Sequence, residues 1–362
     1  MTLDYLHISR DDSYLTRDLA VIKAKLEALK PEAILLYGSH ARGEGARIKI
    51  NGTEYAYNDY DVLLLFEKSC PGNDYEKIKQ ELIESTKVKW FDIAESSINS
   101  DTQKQKTVFN YDLNHFNRLI FGDQGTVDKY LIPFENSEIP LREAEVLLTT
   151  RLWCFFGSMS NHSEINSLSG SDLSFFHYQL AKAIFAITDS EMIIHGNYQT
   201  KYAKKISEYI RSSHRILSDD ILTWAYTIKI HPQEIRYRTY DSLELYDLVY
   251  KHYHEAILHL YENLFKQPLE SNPTTLLQLK THTFKYRILS MLSILDKYEK
   301  KYRKYSFNVA QLFLFFAYPE SAHKLSFLDS CRTYLSQSLK REVTTVDWSE
   351  LKEIIIAERT NV

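Results

Sequence analysis

Hydrophobic periodicity changes once along this chain of 362 residues, near Ile132, and that change limits the fold more than any other feature. Before it, short apolar runs bounded by turn residues alternate with amphipathic stretches. Ala33–Tyr37 and Asp59–Phe66 read as buried strands, and Val88–Ile98 alternates as a third. Leu15, Leu19, Ile22, Leu26 and Leu29 recur at helical spacing, so Ser13–Leu29 is a helix that Pro31 ends. Asn51-Gly52 between Arg47–Ile50 and Thr53–Tyr57 signals a hairpin, because both central residues of the tight turn need positive φ. Tyr75–Ile83 reads as a further helix, and Ala41-Arg42 as the opening of a short one. Past Ile132, strand signals nearly vanish. Glu143–Phe156, Phe175–Ile194, Tyr198–Ile210, Ser242–Leu264 and Leu276–Lys304 all carry helical spacing. The expected architecture is α+β: a mixed sheet with packed helices over 1–135, then an all-α region over 136–362, subdivided near 268–273.

Composition closes several doors. The 44 Lys+Arg against 48 Asp+Glu give a net charge of −4, which argues against a surface devoted to nucleic acid. Cys70, Cys154 and Cys331 are too few and too far apart for a disulfide framework or a CxxC metal pair, and point to a reducing, cytoplasmic setting. Met1–Ala20 has no apolar core of a signal peptide, and no window resembles a membrane span. With 10 Gly and 8 Pro against 26 Tyr and 18 Phe, the chain suits long helices with aromatic cores.

The chemistry gathers between Ile34 and Asp92. Asp59 and Asp61 are two apart in a strand and so share a face. Two like charges on an apolar strand are costly unless something positive neutralises them, and a divalent cation with oxygen preference, Mg²⁺, suits that task. Upstream, the Gly38-Ser39 turn lies between a strand and a helix start, where backbone N–H groups and a hydroxyl can meet an anion. Asp92 lies in the next expected strand. If the two strands are neighbours, three carboxylates converge as two-metal phosphoryl transfer requires. Asp92 would then serve the attacking hydroxyl and help accept its proton.

The Gly38-Ser39-His-Ala-Arg42-Gly43 turn, the Asp59-x-Asp61 strand and the later Asp92 resemble the DNA polymerase beta-like nucleotidyltransferase superfamily, most of all its minimal nucleotidyltransferases, and more broadly its antibiotic nucleotidyltransferases. The resemblance covers Ile34–Asp92, and Ser13–Ile132 more loosely. It implies a palm domain that moves a nucleoside monophosphate, AMP from ATP by family habit, onto a hydroxyl and releases pyrophosphate, with two Mg²⁺ ions. On that reading Gly38 and Ser39 hold the triphosphate, Asp59 and Asp61 the metals, and Asp92 a metal on the acceptor side. Nineteen residues separate Ser39 from Asp59, against about a dozen in the family, and the Asn51-Gly52 hairpin accounts for the excess.

Family members often draw a lysine and an aromatic from following helices. Lys182, Lys201 and Tyr202 fit that arrangement, and Arg42 is a further phosphate candidate. The competing reading makes them surface lysines and a core tyrosine. Three other patterns are set aside. His254 and His259 are five apart, where a helical zinc pair needs four. Lys297–Lys304 interleaves bases and tyrosines but suits a solvated helix face. No Arg–x₄₋₆–His spacing occurs, which the helical nucleases that accompany minimal nucleotidyltransferases carry. The expected partners are a nucleotide and a hydroxyl acceptor smaller than nucleic acid, with no membrane. The rival reading is a silent nucleotide-binding module acting as antitoxin, sensor or scaffold.

Overall fold

The computed structural model describes residues 13–57, 59–68, 75–156, 162–232, 240–266, 296–318 and 324–358. The first stretch runs α1 (Ser13–Leu26), β1 (Ala33–Tyr37), α2 (Gly38–Ala41), β2 (Arg47–Ile50), β3 (Thr53–Ala56), β4 (Asp59–Phe66), α3 (Glu76–Thr86), β5 (Trp90–Ser97), α4 (Val108–His115), β6 (Arg118–Gly122) and α5 (Gln124–Tyr130). From Leu141 onward every described regular element is helical: α6 (Leu141–Arg151), α7 (Trp153–Phe156), α8 (Gly170–Ile194), α9 (Tyr202–Arg211), α10 (Asp219–Ile230), α11 (Ser242–Phe265), α12 (Asp296–Phe316), α13 (Lys324–Leu339) and α14 (Trp348–Glu358). The architecture is α+β. The expected subdivision at 268–273 and the start of the Leu276–Lys304 helix lie outside the described residues.

The chain folds into two compact units, and the first is assembled from three separate stretches: 1–140, 195–213 and 222–237. Its main sheet has the order β5-β4-β1-β6, with β4 and β5 parallel and the other pairs antiparallel. Strand alternation splits the apolar side chains into two layers. Ile34, Leu36, Tyr60, Val62, Leu64 and Phe91 pack with Leu15, Leu19, Ile22 and Leu26 of α1. Leu35, Leu63 and Leu65 pack on the opposite face with Leu113, Val127 and Tyr130. The β2–β3 hairpin turns through Asn51 and Gly52, whose φ values of 49° and 82° give the left-handed pair that such a turn requires. Several details depart from the sequence expectation: the expected Glu143–Phe156 helix is broken into α6 and α7, the expected Tyr198–Ile210 helix starts only at Tyr202, and two more differences lie in the first stretch. The short helix begins at Gly38 rather than at Ala41-Arg42, directly on the end of β1. Arg118–Gly122 adds a fourth strand, which its brief and partly polar sequence had not marked.

The second unit (141–194, 214–221 and 238–362) is held by rings. Phe155 lies edge-on to Tyr246, Tyr253 and Phe315 at centroid distances of 4.9–5.8 Å. The hydroxyl of Tyr253 donates to the Leu148 carbonyl at 2.6 Å and that of Tyr250 to the Phe315 carbonyl at 2.6 Å, so these two buried phenols are satisfied. In the basic-aromatic stretch of α12, Tyr302 and Arg303 bond Gln337 and Ser338 of α13, which makes this part of it a packing face. No described helix is long and apolar enough to cross a membrane.

Candidate metal and nucleotide site

Register brings the three acids together. The parallel β4–β5 ladder sets Asp61 beside Asp92, and Asp59 lies two residues before Asp61 on the same face. One carboxylate oxygen from each lies within 4.8 Å of the others. On the other side of β4, the antiparallel ladder pairs Asp61 with Tyr37, the last residue of β1. The chain then turns at Gly38 with φ +72°, and a β-carbon placed there would come to 2.0 Å from Asp61 Oδ2. Glycine is therefore required twice at this position, for the backbone angle and for the approach to the carboxylate. Ser39 follows on that turn.

Burial pushes the Asp61 carboxyl up to about 7, with Asp59 and Asp92 raising it further and Arg42 and Lys229 opposing them. The Tyr37 phenol is also raised, by burial first and then by the three carboxylates. Such a cluster fits a divalent cation: oxygen donors only, a half-buried Asp61 carboxylate without a hydrogen-bond donor among the described residues, and a glycine that lets the chain turn against that carboxylate.

Cations collect on the flank next to the Gly38 turn. The Arg42 guanidinium lies 5.3 Å, Lys205 Nζ 5.4 Å and Lys229 Nζ 5.9 Å from the centre of the Tyr202 ring. Glu44 draws this arrangement together. Its carboxylate accepts from the backbone N–H of Tyr202 at 3.1 Å and of Ala203 at 3.4 Å, capping the first turn of α9. Arg42 also lies 3.6 Å from Asp112 and, through its buried Nε, 3.4 Å from Glu44, an ion pair without hydrogen-bond geometry, and that Nε has no hydrogen-bond partner among the described residues. Tyr198 donates to Asp112 at 3.1 Å, which further ties the 195–213 stretch to α4.

Of the residues expected to touch a nucleotide, Gly38, Ser39, Arg42, Lys201 and Tyr202 fall in the first unit with the acids. Tyr202 belongs to the cation cluster, whereas Lys201 extends over the Phe116 ring at 4.9 Å. Lys182 lies in the second unit, over the ring of its own helix neighbour Tyr178 at 5.1 Å. Lys205, Lys229 and Glu44 join the Tyr202 cluster without belonging to any motif of the sequence. Lys229 did carry a signal, a lone lysine between Ile228 and Ile230. The remaining histidine pattern resolves as ion pairs rather than a metal site: His259 Nδ1 is 2.9 Å from Glu191 and His252 Nδ1 is 3.1 Å from Glu255.

No family model matches the chain, and neither a curated protein nor a solved structure matches it.

Proposed function

We propose that the chain is a Mg²⁺-dependent nucleotidyltransferase that transfers a nucleoside monophosphate, AMP from ATP, to a hydroxyl and releases pyrophosphate. The observation that carries this reading is the meeting of Asp59, Asp61 and Asp92 beside the Gly38 turn, with a cationic flank next to them. Mg²⁺ held by Asp59, Asp61 and Asp92 would polarise the acceptor hydroxyl and offset triphosphate charge. The protein's part is positioning and electrostatics. Gly38 lets the backbone approach the phosphates, and the Ser39 hydroxyl and the N–H groups of the turn orient them. Lys205, Lys229 and Arg42 give the anionic leaving group a field of opposite sign. The acceptor oxygen forms a bond to the α-phosphorus as the bond to the pyrophosphate oxygen breaks, and the pyrophosphate leaves with that electron pair. Asp92, the most exposed of the three acids, takes the hydroxyl proton toward solvent.

The test is incubation with ATP labelled at the α-phosphate, Mg²⁺ and a cell extract, with pyrophosphate release followed in parallel. Label should pass to an acceptor with wild-type protein and not with Asp59→Asn or Asp61→Asn. Transfer retained by either variant would overturn the assignment. Mg²⁺-dependent nucleotide binding without pyrophosphate release across many acceptors would favour the silent module instead.

A further inference from the structure

Beside the three acids lies a large aromatic side chain that the fold does not use. Trp90 is the first residue of β5, an edge strand of the main sheet, and it is 63% exposed. The parallel register sets it next to Asp59, two residues before Asp92. Alternation therefore gives it the same face as the acids, while Phe91 between them is buried in the α1 layer. An indole left in water at the rim of a polar site is a surface awaiting contact, because tryptophan gains most from burying its ring while its N–H stays wet.

The surroundings of Trp90 restrict what it would meet. The cations of the site, Arg42, Lys205 and Lys229, gather about Tyr202, next to the turn that follows β1. The β5 edge lies on the other side of β4, and there the groups that line up with the indole are Asp59 and Asp92. Lys89, adjacent in sequence, places its ammonium over the Tyr57 ring at 4.5 Å. A polyanion thus finds its counter-charges on the Tyr202 flank and meets carboxylates on the Trp90 flank. A neutral or cationic ring meets the reverse.

We infer that Trp90 is the acceptor platform. It selects an uncharged or cationic small alcohol whose ring lies flat on the indole and directs its hydroxyl toward Asp92, and it disfavours the end of a nucleic acid. This inference rests on the transferase reading for the direction of the hydroxyl, but the ring contact itself does not need turnover.

The indole N–H signals of ¹⁵N-tryptophan-labelled protein provide the test. The chain has 4 tryptophans, and Trp90→Phe identifies the signal of interest. With Mg²⁺ and a non-hydrolysable ATP analogue present, phenyl β-D-glucopyranoside should shift the Trp90 signal saturably and leave the other three in place. Methyl β-D-glucopyranoside and 2-phenylethanol, run separately, tell a pyranose face from an aromatic one. Trp90→Ala should weaken phenyl glucoside binding by roughly tenfold or more, while the affinity for the ATP analogue changes less than about twofold. In turnover the same variant should raise the acceptor KM more than it lowers kcat, and Trp90→Phe should restore most of the loss. A Trp90 signal unmoved by every ring probe, or moved more by a tetra-adenylate than by the glucoside, would overturn the inference. A saturable shift in a protein that never releases pyrophosphate would keep the ring site and discard the transferase reading, so the two can fail separately.

Discussion

Two desolvated aspartates in the first unit, the buried Asp18 and the half-buried Asp61, face opposite sides of the same sheet and are treated in opposite ways. Asp18, on α1, is 1% exposed, and both of its oxygens are satisfied, by Arg17 Nε at 2.9 Å and by the Tyr60 hydroxyl at 2.8 Å. Burial raises its carboxyl, and those two hydrogen bonds act against the rise. Asp61 is one residue along from Tyr60 on β4, yet on its face burial is joined by two more carboxylates, and only the distant pull of Arg42 and Lys229 opposes them. A carboxylate completed by its own chain is structural. One left incomplete among like charges is a place for something the chain does not supply, and the strand carries both conditions 180° apart.

The sharpest way to break this contrast is to neutralise each acid in turn. Asp61→Asn should lower nucleotidyl transfer on the order of a thousandfold, yet raise the unfolding free energy of the metal-free protein at pH 8. The sign follows from linkage: a carboxyl raised in the folded state contributes stability below its unfolded value, and that contribution is lost as pH climbs toward about 7. Removing the charge removes the loss. Urea unfolding with and without Mg²⁺ checks it, and Mg²⁺ should stabilise the wild type but not the variant. Gly38→Ala comes next, with transfer reduced roughly a hundredfold, because the new methyl group displaces Asp61 and the left-handed backbone is strained. On the opposite face, Asp18→Ala should cost about 2–3 kcal/mol in unfolding, since it leaves the Tyr60 hydroxyl unpaired, and Tyr60→Phe about 1 kcal/mol. Neither change touches the acids directly, so any effect on kcat per folded molecule should be much smaller than for Asp61→Asn.

A third buried carboxylate, Glu191 of the second unit, gives the smallest effect, and the pH sign is the same. It is paired with His259, whose imidazole is raised by that hydrogen bond. The pair's stability is therefore fully present below about 6.5, the unfolded value, and is lost as pH rises through the higher folded value. Thermal unfolding of His259→Gln between pH 6 and 8.5 should show that slope flattened. The half-exposed imidazole keeps the change modest.

Much of this contrast is legible in the sequence. Strands β1, β4 and β5 and the hairpin announce themselves because alternation and Asn-Gly chemistry are local. The face shared by Asp59 and Asp61 follows from their spacing alone. Convergence with Asp92 was conditional on which strand lay beside β4, and only the sheet order supplies it. Long-range pairings left no local mark. Asp18 reads as one polar residue on an otherwise amphipathic helix, and nothing near it in sequence points to Tyr60, 42 positions away. Trp90 reads as an ordinary strand aromatic, since exposure is a property of the edge and not of the residue. The cations at Lys205 and Lys229 were hidden for the same reason, because sequence distance conceals that their helices belong with the N-terminal sheet.

Glu44 ties the site to the order in which the protein is made. Its carboxylate waits for N–H groups of Tyr202 and Ala203, 158 and 159 positions further along. While the ribosome has released only the sheet, Glu44 lacks the partners that cap α9, and the cationic flank does not yet exist. The first unit is thus finished late, after the whole of α8 has been synthesised, although its sheet comes early. A fragment ended at residue 140 would keep the three acids in its sequence and lose Tyr202, Lys205 and Lys229, so the acids and the cationic flank of the first unit cannot be cut from this chain as one continuous piece.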